Sequence, residues 1–168
     1  MRNLLVSVDL SEMSGAVVER AACSAQSFVS KLWLIHVAPS TKSSVPFNLD
    51  RDILRTQAAK QLRLQRHQLQ DLAEQLRWQR IHVVTRFVSG TVSTTILAEA
   101  ERIGAELIII GSHGHGNVYH ALFGGVGQKV IRKATCPVML VPPQSTKPHW
   151  HWIRREPAES RGIPQHRS

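Results

Sequence analysis

The chain has 168 residues, of which 42% are hydrophobic and 20% are charged. This length and composition fit one folded domain, and they exclude a large multidomain enzyme and a wholly disordered protein. Two cysteines are too few for a disulfide framework or a cysteine-rich zinc site. The sequence contains neither a run of apolar residues long enough for a membrane span nor a secretory signal, so we expect a cytoplasmic protein.

The charge is strongly basic and is concentrated in one segment. Lysine and arginine number 21 against 12 acidic residues, for a formal net charge of +9, and residues 42–86 hold nine of these bases. The solvated face of a long helix explains such a segment. Binding to nucleic acid or to an anionic membrane surface is the alternative explanation.

Five short apolar runs alternate along the chain with four segments of helical periodicity. In chain order, the predicted elements are a strand at 4–8, a helix from Ser11, a strand at 32–37, a long helix from Asp50, a strand at 81–88, a helix after Gly90, a strand at 107–110, a helix at 118–133 and a strand at 138–141. The predicted apolar stripe of the first helix is Ala16, Val17, Arg20, Ala21 and Ser24 or Ala25, and that of the long helix is Leu54, Ala58, Leu62, Leu69, Leu72 and Leu76.

The alternation of strands and helices predicts the fold class. Connections of more than a dozen residues between strands favour a parallel sheet with helices on both faces. Because such crossovers are right-handed, the predicted fold is α/β, with a doubly wound, Rossmann-like sheet. Ligands of these sheets bind beyond the carboxyl ends of the strands. We therefore expect the functional site near the strand ends at Asp9, Val37 and Gly111.

A glycine-rich segment follows the fourth predicted strand. It reads Gly111-Ser112-His113-Gly114-His115-Gly116, and Gly124-Gly125-Val126-Gly127 follows after seven further residues. Glycine lets the backbone approach a ligand closely, and exposed N–H groups at the start of a helix attract anions, so this chemistry suits phosphate. The segment is neither a Walker A loop nor a dinucleotide-binding GxGxxG motif. The alternative is that these glycines serve only tight turns.

Three patterns together resemble the universal stress protein family. They are the spacing Gly111-x2-Gly114-x9-Gly124, the opening run that ends at Asp9, and the ending Cys136-Pro137-Val138-Met139-Leu140-Val141. The resemblance covers residues 2–142. It implies a five-stranded doubly wound sheet of order 3-2-1-4-5 and a dimer. One branch of the family binds ATP through this glycine motif, and another branch does not.

The resemblance also implies a set of site residues for ATP, with Mg²⁺ bound alongside it. Asp9 would meet the ribose and Val37 would line the adenine pocket. The residues around the ribose and phosphates would be Ile110, Gly111, Gly114, Gly124, Gly125 and Val126. Gly125 departs from the family pattern, which commonly has Ser or Thr there. The missing hydroxyl removes one hydrogen bond to phosphate, which weakens binding by about ten- to a hundredfold.

The histidines and cysteines of the sequence are better explained as residues that form no metal site or catalytic site. No carboxylate or cysteine stands in a ligand spacing with His113, His115 and His120, so we expect no metal site there. His149 and His151 provide only two ligands in a polar segment. Cys23 and Cys136 are interpreted as packed residues. No catalytic triad accompanies Asp9, so we predict no catalytic residue and no enzyme, although weak ATP hydrolysis is compatible with the sequence.

The predicted organisation is a nucleotide-binding domain over residues 1–142, followed by a polar, basic and flexible tail over residues 143–168. The leading hypothesis is an ATP-binding stress-response regulatory protein that acts as a sensor or interaction module. The first alternative is a nucleotide-free module of the same family that dimerises by pairing its last strand, residues 138–141, with a second copy. The second alternative is a basic protein associated with nucleic acid or an anionic surface.

Overall fold

A computed structural model describes residues 1–38, 51–112 and 125–143, and for residues 51–55 it describes only the helical backbone. The described strands are β1 (Asn3–Ser7), β2 (Lys31–Ala38), β3 (Val83–Ser89), β4 (Leu107–Gly111) and β5 (Val138–Val141). The described helices are α1 (Met13–Phe28), α2 (Arg51–Trp78), α3 (Val92–Ile103) and α4 (Val126–Lys133). Within these ranges, no helix combines the length and the apolar character that a membrane span requires.

The five strands form one parallel sheet of order β3-β2-β1-β4-β5. This confirms the predicted α/β fold and its strand order. The central strand β1 pairs with β2 on one side and with β4 on the other. The order of the strands reverses between β1 and β4, so the crevice for a ligand opens where these two strands end.

The helices cover both faces of the sheet, which is why the central strands are almost continuously apolar. On one face, α1 and α2 pack over Leu4, Val6, Leu34 and Ile109. On the other face, α3 and α4 pack over Leu5, Ile35, Ile108 and Ile110. Successive side chains of a strand therefore pack against different pairs of helices, because they point to opposite faces of the sheet. This alternation determines which side chains face the crevice from each side of the sheet.

The predicted start of the last helix is wrong. Gly125 has an extended backbone (φ −99°, ψ −162°), and α4 begins at Val126 rather than at Val118. Residues 118–124 lie outside the described part of the chain. The helix predicted from the sequence continued across Gly125, because glycine alone does not position a helix boundary.

The predicted apolar stripes of the first two helices need correction. In α1 the buried residues include Val18 and Ala22, whereas Arg20 is exposed. Among the side chains of α2 that the structure describes, residues 56–78, the fully covered ones are Leu69, Ala73 and Leu76 in the last turns, and Leu54 lies outside this range. The 28 residues of α2 span about 42 Å, roughly twice the length of the seven-residue strand beside it. The first half of α2 is therefore expected to extend past the sheet, and Leu64, at the middle of the helix, is 53% exposed.

The end of α1 has an unusual backbone. Val29 caps this helix in the left-handed region (φ 48°, ψ 50°), which strongly favours glycine, and its side chain is 92% exposed. Val29→Gly is expected to raise the free energy of unfolding by about 1 kcal/mol, because it removes the left-handed strain without removing any packing. Urea denaturation measures this change. Gly104 caps α3 in the same left-handed conformation (φ 59°). The reverse substitution, Gly104→Val, is therefore the matched control and should lower the free energy of unfolding by a similar amount. A valine variant at Gly104 as stable as the wild type would contradict the explanation.

Candidate nucleotide site

The carboxyl ends of β1, β2 and β4 meet at one edge of the sheet. Ser7, the last residue of β1, pairs with Ile35 on one side and with Ile110 on the other. Val8 continues this arrangement by donating its N–H to the Ile35 carbonyl at 3.0 Å. The topology therefore brings the ends at Asp9, Val37 and Gly111 to the same edge.

Asp9 has a fixed orientation at the start of α1. Its Oδ1 atom accepts hydrogen bonds from the Ser11 backbone N–H at 3.0 Å, from the Ser11 hydroxyl at 2.6 Å and from the Ser14 hydroxyl at 3.2 Å. Leu10 permits this turn by adopting a positive φ of 62°. The carboxylate is half-buried, and its neighbours position it at the crevice between β1 and β4.

Val37 and Ile110 contribute apolar surface beside this crevice. Both are buried side chains in the cluster that faces α3 and α4. After β2, the Ala38 carbonyl accepts a hydrogen bond from Gly90 N–H at 3.0 Å, which holds the ends of β2 and β3 together. The result is a rigid hydrophobic wall next to the polar group at Asp9.

The N-terminus of α4 lies at the same edge, because α4 connects two parallel strands and runs opposite to them. Gly125 is the N-cap residue and provides no side-chain cap, and the first turn of α4 contains no acidic residue. The first N–H groups of a helix have no partner within the helix, and the helix dipole adds partial positive charge there. Gly127 sits behind this turn, where an added Cβ would lie 3.4 Å from Leu140.

Gly111 connects the α4 region to the sheet. It pairs with Val141 of β5, and Ser112 N–H donates to the Val141 carbonyl at 2.8 Å. The strand end and the start of α4 therefore both lie against β5. Gly114 and Gly124, the other two glycines of the motif, lie outside the described residues, as do His113, His115 and His120.

His36 is a residue of this edge that the sequence analysis did not single out. Its ring nitrogen Nδ1 lies 2.9 Å from the Val8 carbonyl oxygen, directly before Asp9. Its Nε2 atom is buried with no partner among the described residues, and its ring lies 5.3 Å from that of Phe87. The sequence feature that could have identified His36 is a single histidine within an otherwise apolar predicted strand. Donation from Nδ1 holds β1 and β2 together where Asp9 emerges.

The two cysteines differ in their burial. Cys136 is half-buried beside the core cluster under α3 and α4, and burial raises the pKa of its thiol, as for a packed residue. Cys23 is exposed on α1, which corrects its interpretation as a packed residue. In the described ranges, no three His, Cys, Asp or Glu side chains come together as metal ligands. His149 and His151 lie outside those ranges.

Comparisons with known proteins agree on one family. The sequence model described as the universal stress protein family matches residues 1–142. The chain is 29% identical over 147 residues to universal stress protein A homolog 1 of Coxiella burnetii, covering 83% of this chain and 95% of that protein. It is 28% identical over 147 residues to universal stress protein YxiE of Bacillus subtilis, covering 82% and 97% respectively.

Solved structures share the same fold. A universal stress protein in complex with cAMP superposes with a TM-score of 0.63 at 20% identity, covering 83% of this chain and 96% of that one. The universal stress protein from Archaeoglobus fulgidus in complex with dAMP gives a TM-score of 0.59 at 21% identity, covering 84% and 98%. With the strand order, the glycine spacing and the match over residues 1–142 in agreement, this chain belongs to the universal stress protein family.

Proposed function

We propose that this protein binds ATP with Mg²⁺ at the carboxyl edge of its sheet and acts in the cytoplasm as a nucleotide-dependent regulator of the stress response. The observation that carries the proposal is the N-terminus of α4. It begins at a glycine, has no side-chain cap and no acidic residue in its first turn, and lies at the same edge as Asp9. Unpaired N–H groups at such a helix start bind phosphate oxygens.

The nucleoside part of ATP fits the neighbouring residues. The Asp9 carboxylate accepts hydrogen bonds, as the ribose hydroxyls require, and its orientation is already fixed by Ser11 and Ser14. Val37 and Ile110 provide the apolar wall against which an adenine packs. The universal stress proteins solved with cAMP and with dAMP support this proposal, because both ligands share the adenine and phosphate groups of ATP.

A regulatory role suits this site better than a metabolic reaction. Ser11 and Ser14 donate three hydrogen bonds to one carboxylate oxygen of Asp9, and the sequence suggests neither a catalytic triad nor a second carboxylate to bind Mg²⁺ beside Asp9. We therefore expect the phosphates of the nucleotide to hold the metal. Binding would alter the edge formed by β4, α4 and β5, which can change contacts with other proteins.

Gly125→Ser tests the phosphate site by a gain of affinity. An added Cβ at Gly125 meets no atom of the described residues within 4 Å, and φ is −99°, so serine fits the backbone without strain. Its hydroxyl would supply the missing hydrogen bond to phosphate and is expected to tighten ATP binding about tenfold. Calorimetric titration measures the change, with Gly125→Ala as the matched control that lacks the hydroxyl. Equal affinity in the serine and alanine variants would count against phosphate binding at this helix start.

A second candidate function is that of a homodimeric interaction module, and a specific observation favours a dimer. The edge strand β5 and the adjacent α4 expose apolar side chains, with Met139 at 37%, Leu140 at 38% and Ile131 at 48%. Since edge strands with apolar side chains associate readily, we propose that β5 pairs with β5 of a second copy.

Leu140→Lys tests this dimer. The charge is expected to convert the dimer to a monomer, because it would be buried opposite its own copy. Sedimentation velocity reports the mass in solution. Leu64→Lys, which makes the same change at an exposed leucine on α2, should leave the mass unchanged. A dimer that survives Leu140→Lys would place the interface elsewhere.

A further inference from the structure

A second group of exposed apolar side chains lies at the amino edge of the sheet, opposite the nucleotide site. Phe28 is 49% exposed, Val29 is 92% exposed, Trp78 is 85% exposed and Met1 is 44% exposed. α1 and α2 both end at this edge, next to the starts of the adjacent strands β2 and β3. Four of the nine large exposed apolar side chains in the described ranges are therefore found at this edge.

The same edge contains a recess of about 500 Å³ with a basic lining. Arg2, Lys31, Arg80 and His82 line it, and Met1 and Val29 belong to its wall. No Asp or Glu lines the recess. Basic and apolar groups thus share one concave surface.

These cations have little counter-charge nearby. Among the described residues, the guanidinium groups of Arg2 and Arg80 have no ion-pair partner. Glu106 accepts the Arg2 backbone N–H at 2.9 Å, and its carboxylate lies 3.8 Å from the terminal amine rather than in a pair with either guanidinium group. The Lys31 ammonium lies 4.5 Å above the Trp33 ring, which attracts it without neutralising it.

The backbone at both helix ends projects these side chains outward. Val29 and Arg80 have positive φ values of 48° and 61°, in the region that left-handed turns use. Val29 follows α1 directly, and Arg80 follows α2 by two residues. The apolar side chain of Val29 and the cationic side chain of Arg80 therefore both line the recess, at the ends of α1 and α2.

We propose that this amino edge docks onto the surface of a membrane that contains anionic lipids. Phosphate groups of the lipids would occupy the basic recess, while Val29, Phe28 and Trp78 would enter the boundary between headgroups and acyl chains. Tryptophan with neighbouring arginine and lysine is the composition that binds such boundaries. Met1 and Val29, two of the four apolar side chains, are aliphatic, which favours lipid over nucleic acid; Phe28 and Trp78 can also stack with bases, so the test includes an oligonucleotide.

The test is flotation of the full chain with vesicles of phosphatidylcholine mixed with phosphatidylglycerol, and with vesicles of phosphatidylcholine alone. Binding is expected only with the anionic vesicles. Arg80→Gln should weaken it about fivefold through the lost charge. Trp78→Ser should weaken it about tenfold through lost apolar contact. Arg63→Gln and Leu64→Ser make the same kinds of change on the distant part of α2, and both should bind as the wild type does.

The Val29→Gly variant distinguishes an effect on membrane binding from an effect on stability. This variant is expected to be more stable than the wild type, yet to bind anionic vesicles about threefold less tightly because an apolar tip is lost. Absence of binding by the wild type, or equal weakening by the Arg63 and Leu64 variants, would overturn the proposal. Loss of binding to a single-stranded oligonucleotide in the Arg80 and Trp78 variants, with vesicle binding unchanged, would assign the surface to nucleic acid instead.

Discussion

Replacing Asp9 by alanine is expected to lower the free energy of unfolding by about 2–3 kcal/mol and to weaken ATP binding by about ten- to a hundredfold. The stability falls because the carboxylate accepts three hydrogen bonds, and the Ser14 hydroxyl, on a residue only 3% exposed, would lose its partner. The affinity falls because the ribose hydroxyls lose a charged acceptor. Urea denaturation and calorimetric titration measure the two effects.

Asp9→Asn separates the two roles of this residue. The amide oxygen retains an acceptor for Ser11 and Ser14, so most of the stability should be kept. The charge is lost, so ATP binding should still weaken, by about tenfold. An asparagine variant that binds ATP as the wild type does, while the alanine variant is merely unstable, would show that Asp9 shapes the turn without touching the nucleotide.

Replacing Glu99 by alanine is expected to destabilise the protein by about 2 kcal/mol at neutral pH. Glu99 lies on α3 and is only 8% exposed, and its carboxylate accepts hydrogen bonds from Arg86 of β3 at 2.9 Å and from Arg102 at 2.7 Å. The two arginine side chains are 41% and 45% exposed, so water partly compensates for the lost pairs. Urea denaturation measures the difference, and a loss below about 0.5 kcal/mol would contradict this assignment.

The contribution of Glu99 should also depend on pH. Hydrogen bonding to Arg86 lowers the pKa of Glu99 below its ordinary value of 4.5, against the effect of burial, and Arg102 lowers it further. The unfolded chain therefore takes up this proton at a higher pH than the folded chain does. The stability from Glu99 is present above pH 4.5 and is lost as the pH falls through the lowered pKa. The stability difference between wild type and Glu99→Gln should shrink over that range, and a constant difference would contradict the assignment.

Much of the fold follows from local sequence pattern. The apolar runs predicted five strands, and β5 matches its predicted range of 138–141. Alternation with helices and the length of the connections were sufficient for a parallel, doubly wound sheet, because those features constrain topology strongly. The family resemblance added the strand order, which the structure confirms.

Other features depend on specific side-chain contacts, which hydrophobic periodicity does not encode. The turn at Asp9 depends on side-chain hydrogen bonds to Ser11 and Ser14, and the Arg86–Glu99 pair joins a strand to the following helix. The exposed half of α2 follows from the difference in length between a helix and its neighbouring strand. The glycine spacing indicated the phosphate site, yet the structure was needed to find that α4 starts at Val126 without a side-chain cap. The assignment of Asp9, Val37, Ile110 and the glycines to ATP stays a prediction.

Calorimetric titration of nucleotide-free protein with Mg-ATP tests the central claim most directly. Any nucleotide that copurifies is first extracted and identified. We expect micromolar binding that Gly114→Val abolishes, since a side chain there would stand where the family resemblance implies backbone contact with phosphate. No binding up to millimolar ATP would contradict the proposal, and it would assign the function of the protein to its dimer surface without a nucleotide.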